Sequence, residues 1–305
     1  GISLSSSDNN NVTSNDANFN TDNFGINLFG SNGNNLTSNE ANGNRIGIVL
    51  SSSSDNTLMG NNATENLEDG LGVSGSSNNN EVTENNASSN GENGMDITFA
   101  DGNNVVSNNV NDNTQNGIIL DSSSGNDVVE NEANGNNIGI ELDSSSNNNV
   151  TANDATGNDI AGINIFNSSN NSVTANNASG NNFAGILLTA SIDNIVTDND
   201  ASGNDNNGIR LILSSNNNDV TTNNASGNDI DGIRLVSSND NNVTLNTASG
   251  NDDNGISLNS ASDNNEVTDN EATGNGDEGI SLDSSSDNEV TSNDASGNND
   301  GILLR

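Results

Sequence analysis

The stretch that decides the fold is residues 218–235, which read Asn-Asp-Val-Thr-Thr-Asn-Asn-Ala-Ser-Gly-Asn-Asp-Ile-Asp-Gly-Ile-Arg-Leu. Its closing motif, Gly-apolar-x-apolar, occurs fourteen times between Gly1 and Gly301, and successive glycines are 22 to 24 residues apart. The apolar residues of the motif are two apart, which is the period of a β-strand. A chain that keeps this register throughout is a structural repeat and not a disordered acidic chain.

Each repeat unit contains three short extended pieces, Gly-Ile-x-Leu, Val-Thr-x-Asn and x-Ala-Ser-Gly-Asn, and none is long enough for a helix. Three Asn positions are filled in all thirteen units, so they account for 39 of the 76 asparagines. A stacked Asn can pass amide hydrogen bonds from one unit to the next, and we therefore predict three ladders. Representative ladder residues are Asn10, Asn15, Asn20, Asn34, Asn39, Asn44, Asn148, Asn153, Asn158, Asn288, Asn293 and Asn298.

The pattern predicts an all-β fold, a parallel β-solenoid in which each unit of about 23 residues makes one coil of three short strands. Thirteen coils and one extra strand would form a single domain over residues 1–305, without capping units. Right-handed winding is the expected hand for parallel crossovers. Ile, Leu, Val and Ala would point inward in columns, and the Asn ladders would compensate for the small apolar core.

The repeat Asn-x-Val-Thr-x-Asn-x-Ala-Ser-Gly-Asn-x-x-x-Gly-Ile-x-Leu resembles the right-handed parallel β-helix repeats of the pectate-lyase-like superfamily. In particular it is similar to the Asn-rich NosD-like repeats, and the resemblance covers the whole chain. It implies a fold more strongly than an activity. The superfamily includes polysaccharide lyases, hydrolases, epimerases, adhesins and repeat proteins without known chemistry.

Composition excludes several classes of function. The net charge is −39, there are four arginines and no lysine, and Cys, His, Pro, Trp and Tyr are absent. Disulfides, thiolate metal sites and a Ser-His-Asp triad are therefore impossible. The negative surface would repel nucleic acid, and no apolar run is long enough to span a membrane. We expect a protein that is not an enzyme and that works outside the cell or at its surface.

Two sets of residues are candidate sites. Arg210 and Arg234 occupy the outward position of the Gly-Ile-x-Leu piece in neighbouring units, where they could hold a carboxylate or sulfate of an acidic sugar. The alternative is that each pairs with a nearby acid such as Asp231. Carboxylates also recur in successive units and could bind Ca²⁺, or they could simply form a solvated acidic face. The calcium candidates are Asp205, Asp229, Asp231, Asp252 and Asp253.

Two functional hypotheses follow. The leading one is a structural, non-catalytic extracellular β-solenoid that forms or extends a surface filament or cell-envelope layer, because the repeat is uniform and lacks polar caps. Its partners would be further copies of itself, head to tail or side by side, or the rest of a longer chain. The alternative is a carbohydrate-binding or polysaccharide-modifying β-helix that uses an outer strand face and has glycans as partners.

Overall fold

The computed structural model describes residues 1–305, and its regular secondary structure consists of 27 short β-strands without any helix. The chain divides into two compact units, unit 1 (Gly1–Asp154) and unit 2 (Ala155–Arg305). The strands of unit 1 are β1 Ile2–Ser5, β2 Asn11–Thr13, β3 Phe24–Phe29, β4 Asn35–Thr37, β5 Ile46–Ser51, β6 Thr57–Met59, β7 Leu71–Ser74, β8 Glu81–Thr83, β9 Met95–Thr98, β10 Asn104–Val106, β11 Asn116–Asp121, β12 Asp127–Val129, β13 Ile138–Asp143 and β14 Asn149–Thr151. Those of unit 2 are β15 Ala161–Phe166, β16 Ser172–Thr174, β17 Ala184–Thr189, β18 Ile195–Thr197, β19 Asn207–Ile212, β20 Asp219–Thr221, β21 Ile233–Val236, β22 Asn242–Thr244, β23 Ile256–Asn259, β24 Glu266–Thr268, β25 Glu278–Asp283, β26 Glu289–Thr291 and β27 Asp300–Leu304.

The two sheets of each unit are entirely parallel. In unit 1 the odd-numbered strands pair in chain order in one sheet, and the even-numbered strands do so in another. Unit 2 has the same arrangement. Every strand therefore pairs with the equivalent strand one repeat away, which is the architecture of a β-solenoid with about 23 residues per coil and confirms the predicted fold class.

The third extended piece of each coil is shorter than the other two. It makes single-residue parallel bridges, such as Asn62 to Asn86 in unit 1 and Asp200 to Asn224 in unit 2. The chain turns three residues later at a residue with positive φ, which is a glycine in most coils, such as Gly227 at 67°, and Glu65 at 55° after Asn62. A full strand has no room to form between the bridge and this turn.

Apolar side chains fill the interior in columns, as the strand period requires. From β3 to β25, the inward apolar residues of the odd-numbered strands, mostly Ile and Leu, the Val or Leu of the even-numbered strands and the Ala or Val after each bridge are almost completely buried. The glycine before the Ile is needed because the neighbouring coil lies too close for a side chain. A Cβ on Gly208 would be 2.7 Å from the carbonyl oxygens of Ala201 and Gly232.

The three Asn columns form continuous hydrogen-bonded ladders within each unit. Asn223 is typical: its Oδ1 accepts the backbone N–H and the Nδ2–H of Asn199, each at 3.0 Å. Its own Nδ2 donates to Oδ1 of Asn246 at 3.0 Å and to the carbonyl of Val196 at 2.9 Å. The amide thus satisfies polar groups in three successive coils, and the residue is 1% exposed.

A serine ladder, which the sequence analysis did not predict, follows the odd-numbered strands. The backbone N–H of Ser31 donates to Oγ of Ser53 at 3.0 Å, and that of Ser53 donates to Oγ of Ser77 at 3.0 Å. In unit 2 the N–H of Ser168 donates to Ser191 Oγ, and that of Ser191 to Ser215 Oγ. These hydroxyls satisfy backbone donors at a corner where no strand pairing is available.

None of the segments forms a helix with the length and hydrophobicity that are needed to cross a membrane.

We expect Asn223→Ala to lower the free energy of unfolding by about 2 to 4 kcal/mol, because it leaves buried donors of Asn199 without their acceptor. Urea unfolding followed by circular dichroism measures the change. The neighbouring Asn224→Ala is the control, since Asn224 is exposed and its side chain donates one hydrogen bond, from Nδ2 to Oδ1 of Asp200. This substitution should change stability by less than about 0.5 kcal/mol. Equal effects of the two substitutions would contradict the ladder model.

Candidate functional site

The outer face of the odd-numbered strands in unit 2 carries two arginines side by side. Arg210 of β19 and Arg234 of β21 are direct partners in the parallel register. Leu187 precedes them in the same row and Ser257 follows. Both arginines are half-buried. The strand register therefore holds two positive charges next to each other, and we call these residues the arginine pair.

The arginine pair is unusual because the protein has 43 acidic residues with which its four arginines could pair. Arg45, Arg234 and Arg305 each have a carboxylate within 4.0 Å, at 3.9, 3.3 and 3.6 Å respectively. Arg210 has no ion pair or hydrogen bond from its side chain, and its guanidinium lies 5.2 Å from the centroid of the Phe183 ring. Of the two readings of the sequence, pairing with Asp231 holds for Arg234 but not for Arg210.

Asp231 lies beneath Arg234 and anchors it. The carboxylate is 1% exposed, and its Oδ2 accepts from Nη1 of Arg234 at 3.3 Å. Its Oδ1 accepts from the backbone N–H and the Nδ2–H of Asn254, at 3.1 and 2.8 Å. Burial raises the pKa of Asp231, and the hydrogen bonds from Asn254 and the charge of Arg234 oppose this effect.

The guanidinium groups are incompletely satisfied. The Nε atoms of both Arg210 and Arg234 are buried and have no hydrogen-bond acceptor. Burial lowers the pKa of Arg210, the adjacent charge of Arg234 lowers it further, and Asp231 raises it. An anion bound between or above the two arginines would reduce their repulsion further and accept hydrogen bonds from their remaining donors.

A neighbouring residue, Asn207, was missed by the sequence analysis. It stands directly before the repeat glycine, in a row that continues with Asp231 and Asn254 in the next two coils, and we call this row the pre-glycine row. Asn207 is 0% exposed, yet neither its Oδ1 nor its Nδ2 has a partner. The sequence signal is the change from Ala184-Gly in the preceding coil to Asn207-Gly in the coil that bears Arg210.

The five predicted calcium ligands do not occupy one environment. Asp231 is buried and paired with Arg234, whereas Asp205, Asp229, Asp252 and Asp253 are exposed in turns. No group of three or more carboxylates is arranged to hold a metal ion anywhere in residues 1–305. Calcium binding therefore stays a prediction.

Unit 1 carries an acidic counterpart on the outer face of its odd-numbered strands. Asp69 is 7% exposed, and its Oδ1 accepts the backbone N–H and the Nδ2–H of Asn93 at 3.1 and 3.0 Å. Burial raises the pKa of Asp69 to about 6, and the charges of Asp96 and Glu92 contribute to the rise. Burial and the charge of Asp121 likewise raise the pKa of Asp96, against a hydrogen bond from Thr98. The sequence shows these acids but not their burial.

The arginine pair lies outside the surface depressions of the protein. Two surface depressions, of about 230 and 200 Å³, lie away from the arginine pair and are small for an organic ligand. The pair itself stands on an open sheet, flanked by Leu187 and by the ring of Phe183. Charged donors beside an apolar surface can bind an anionic group and the ring to which it is attached.

A family model described as "Periplasmic copper-binding protein (NosD)" matches residues 1–132, 92–231 and 211–305, which together cover the whole chain. No curated protein matches the sequence significantly.

Several solved structures share the architecture. The Dettilon tailspike protein (gp208) has a TM-score of 0.68 at 18% identity, and the match covers 92% of this chain and 62% of the tailspike chain. This chain thus spans less than two thirds of the tailspike. The periplasmic alginate epimerase AlgG (T265N mutant) has a TM-score of 0.60 at 15% identity, with 88% and 76% covered. The A-module of the Azotobacter vinelandii mannuronan C-5 epimerase AlgE6 has a TM-score of 0.59 at 14% identity, with 93% and 89% covered. At these identities the likeness shows the fold alone.

We expect Asp69→Asn to stabilise the protein at pH 7.5 by on the order of 2 kcal/mol and to have little effect at pH 4. The folded-state pKa of about 6 lies above the ordinary value of 3.8. The native state therefore binds the proton more tightly, and stability falls as pH rises from about 4 to about 6. Asn keeps the acceptor oxygen for Asn93 but carries no charge. Urea midpoints measured across this pH range provide the test.

Asp127→Asn is the matched control for this substitution. Asp127 is exposed at the start of β12, and its register partners in the adjacent strands are Asn104 and Asn149. The control substitution removes one negative charge from an exposed position, whereas Asp69→Asn removes one from a buried position. If Asp69→Asn gave the same stability gain at pH 4 as at pH 7.5, the buried carboxylate would not be the cause.

Proposed function

This chain belongs to the NosD family, and we propose that it is a non-catalytic β-helix protein that binds acidic glycans outside the cytoplasm through the arginine pair. The observation that carries the proposal is the register of Arg210 with Arg234, in which Arg210 contacts the ring of Phe183 but has no carboxylate partner. In a protein with a net charge of −39, an arginine without an acidic partner is well placed to serve a ligand.

The location rests on the relatives. The description of the family names a periplasmic protein, and the alginate epimerase AlgG is also described as periplasmic. These names support a location outside the cytoplasm for this chain, and we propose the cell surface or envelope as the site of action. The chain has no cysteine, so its fold depends on no disulfide in either an oxidising or a reducing compartment.

Copper does not fit this chain, although the family description names it. Copper is held by His, Cys or Met side chains, and this chain has no His or Cys. Of its two methionines, Met95 is 1% exposed in the core of β9, and Met59 is 40% exposed on β6 of the other sheet. Copper therefore has no part in the proposed function.

The chemistry of the arginine face supports binding without catalysis. Guanidinium groups form charge-assisted bonds to carboxylate or sulfate and remain protonated, so they do not act as a general base. The acid closest to the pair, Asp231, is already engaged by Arg234 and Asn254. The leucine and phenylalanine beside the pair offer apolar contact to a sugar ring.

We expect Arg210→Gln to weaken binding of an oligogalacturonate by at least about tenfold, because it removes a charge-assisted contact. Isothermal titration calorimetry at about 0.15 M salt measures the affinity, since salt screens the long-range repulsion between the negatively charged protein and an anionic ligand. The fold should be retained, since Arg210 makes no ion pair within the protein.

Arg45→Gln is the matched control. Arg45 also stands over an aromatic ring, that of Phe24 at 5.2 Å, but it lies in unit 1 without a second arginine beside it. Its substitution should leave the affinity unchanged. Wild-type protein that binds neither a uronate oligosaccharide nor a sulfated one would exclude the proposed function.

A structural role in a filament or envelope layer is our second proposal. It is favoured by the repetition of the same ladder contacts in successive coils, which lets a coil of one copy present the donors and acceptors that a coil of another copy needs. Electron microscopy of the full-length protein from its native source tests this role. Fibres or a layer are the expected result, and uniformly short, separate particles would contradict it.

A further inference from the structure

The unbonded amide of Asn207 needs an explanation. The buried amide of Asn223 is bonded on both sides. Asn254, in the same row as Asn207, donates to Asp231 at 2.8 Å and accepts from the N–H of Glu278 at 3.2 Å. Asn207 is completely buried with two unmet heteroatoms. An unsatisfied buried amide lowers stability, so its presence is accounted for by a role other than folding.

The position itself does not require Asn. The residues in the same place in the two preceding coils are Ala161 and Ala184, which pair with each other, and Ala184 pairs with Asn207. Both alanines are fully buried, so the coil closes equally well around a methyl group. Asn also precedes the repeat glycine at positions 93, 116 and 254, where its side chain is hydrogen-bonded. Asn207 differs because neither of its side-chain heteroatoms has a partner, and it lies in the coil that carries Arg210.

The placement of Asn207 follows from its neighbour in the pre-glycine row. Asp231 stands three residues before Arg234, and the two side chains meet at 3.3 Å on the outer face. Asn207 stands three residues before Arg210 with the same strand register. Asn207 therefore occupies the same position relative to Arg210 that Asp231 occupies relative to Arg234.

We propose that Asn207 is a ligand-contacting residue of the arginine site, and that the ligand is an anion with a hydroxyl group beside it, as in a uronic acid. This inference rests on the proposed function and deepens it. An amide offers a donor and an acceptor, whereas sulfate and phosphate groups offer acceptors only. The carboxylate of the ligand binds the arginine pair, and its neighbouring hydroxyl both donates to Oδ1 and accepts from Nδ2 of Asn207.

Access to Asn207 requires a movement, and Arg210 is the side chain that can provide it. Arg210 is held only by the ring of Phe183, whereas Arg234 is tied to Asp231. The proposed contact requires Arg210 to turn from the ring toward the carboxylate of the ligand and so to give the ligand access to the buried amide. The site thus combines one fixed cation, one mobile cation and one neutral group that recognises a hydroxyl.

The test is Asn207→Ala, which recreates the alanine of the preceding coil and should fold. We expect the affinity for pentagalacturonate to fall about tenfold, because a pair of hydrogen bonds is lost. The affinity for fully sulfated maltopentaose, which has no hydroxyl donors, should change less than about twofold. We also expect Tm to rise by about 2 to 4 °C, because the unsatisfied amide is removed.

Asn254→Ala is the control for stability, since it loses bonds to Asp231 and Glu278 and should lower Tm. Unchanged pentagalacturonate affinity in Asn207→Ala, or a lower Tm, would show a structural role and overturn the inference. If the wild type binds only the sulfated ligand, and does so through Arg210, the proposed function stands and the inference about Asn207 fails. If it binds neither ligand, both fail.

Discussion

The fold depends on the side-chain amide of asparagine, which can donate on one side and accept on the other. Most strands are only three to six residues long, and little more than a quarter of the chain is hydrophobic. Such a chain cannot stabilise itself by apolar burial alone. Three amide ladders and a serine ladder satisfy the backbone donors at the turns, so each short strand is held in register by polar contacts at its corners.

Because the ladders hold the strands in a fixed register, a binding site can form on the open outer face of the sheet. Two arginines would separate if their side chains were free, but the register of β19 and β21 keeps their backbone positions one strand apart. The ladders continue on both sides of the coil, and their hydrogen bonds offset the repulsion between the arginines and the unbonded amide of Asn207. A repetitive scaffold can therefore accommodate a local arrangement that is unfavourable without ligand, which is common at functional sites.

Much of the architecture was predictable, because period and position are properties of the sequence. The spacing of glycines placed the parallel strands, and the separation of Arg210 and Arg234 by one repeat placed them in register. The burial of individual side chains and the orientation of polar groups at the turns between strands could not be predicted. Asp69 and Asn207 look like other polar residues before a glycine, and only the structure reveals that one is a buried acid and the other an amide without a partner. The bridge residues, similarly, look like a strand until the turn that follows is seen.

The ladders also have a direction. In each column the N–H groups of one asparagine point to the oxygen of the asparagine in the following coil, as from Asn199 to Asn223 and from Asn223 to Asn246. The amide dipoles of a column are therefore aligned head to tail, and aligned dipoles polarise one another as they do along an α-helix. Substitution of one asparagine consequently leaves N–H donors without an acceptor in the preceding coil. In the following coil it leaves only a carbonyl oxygen without its donor. Loss of one asparagine therefore destabilises the coil on its amino-terminal side more than the coil on its carboxy-terminal side.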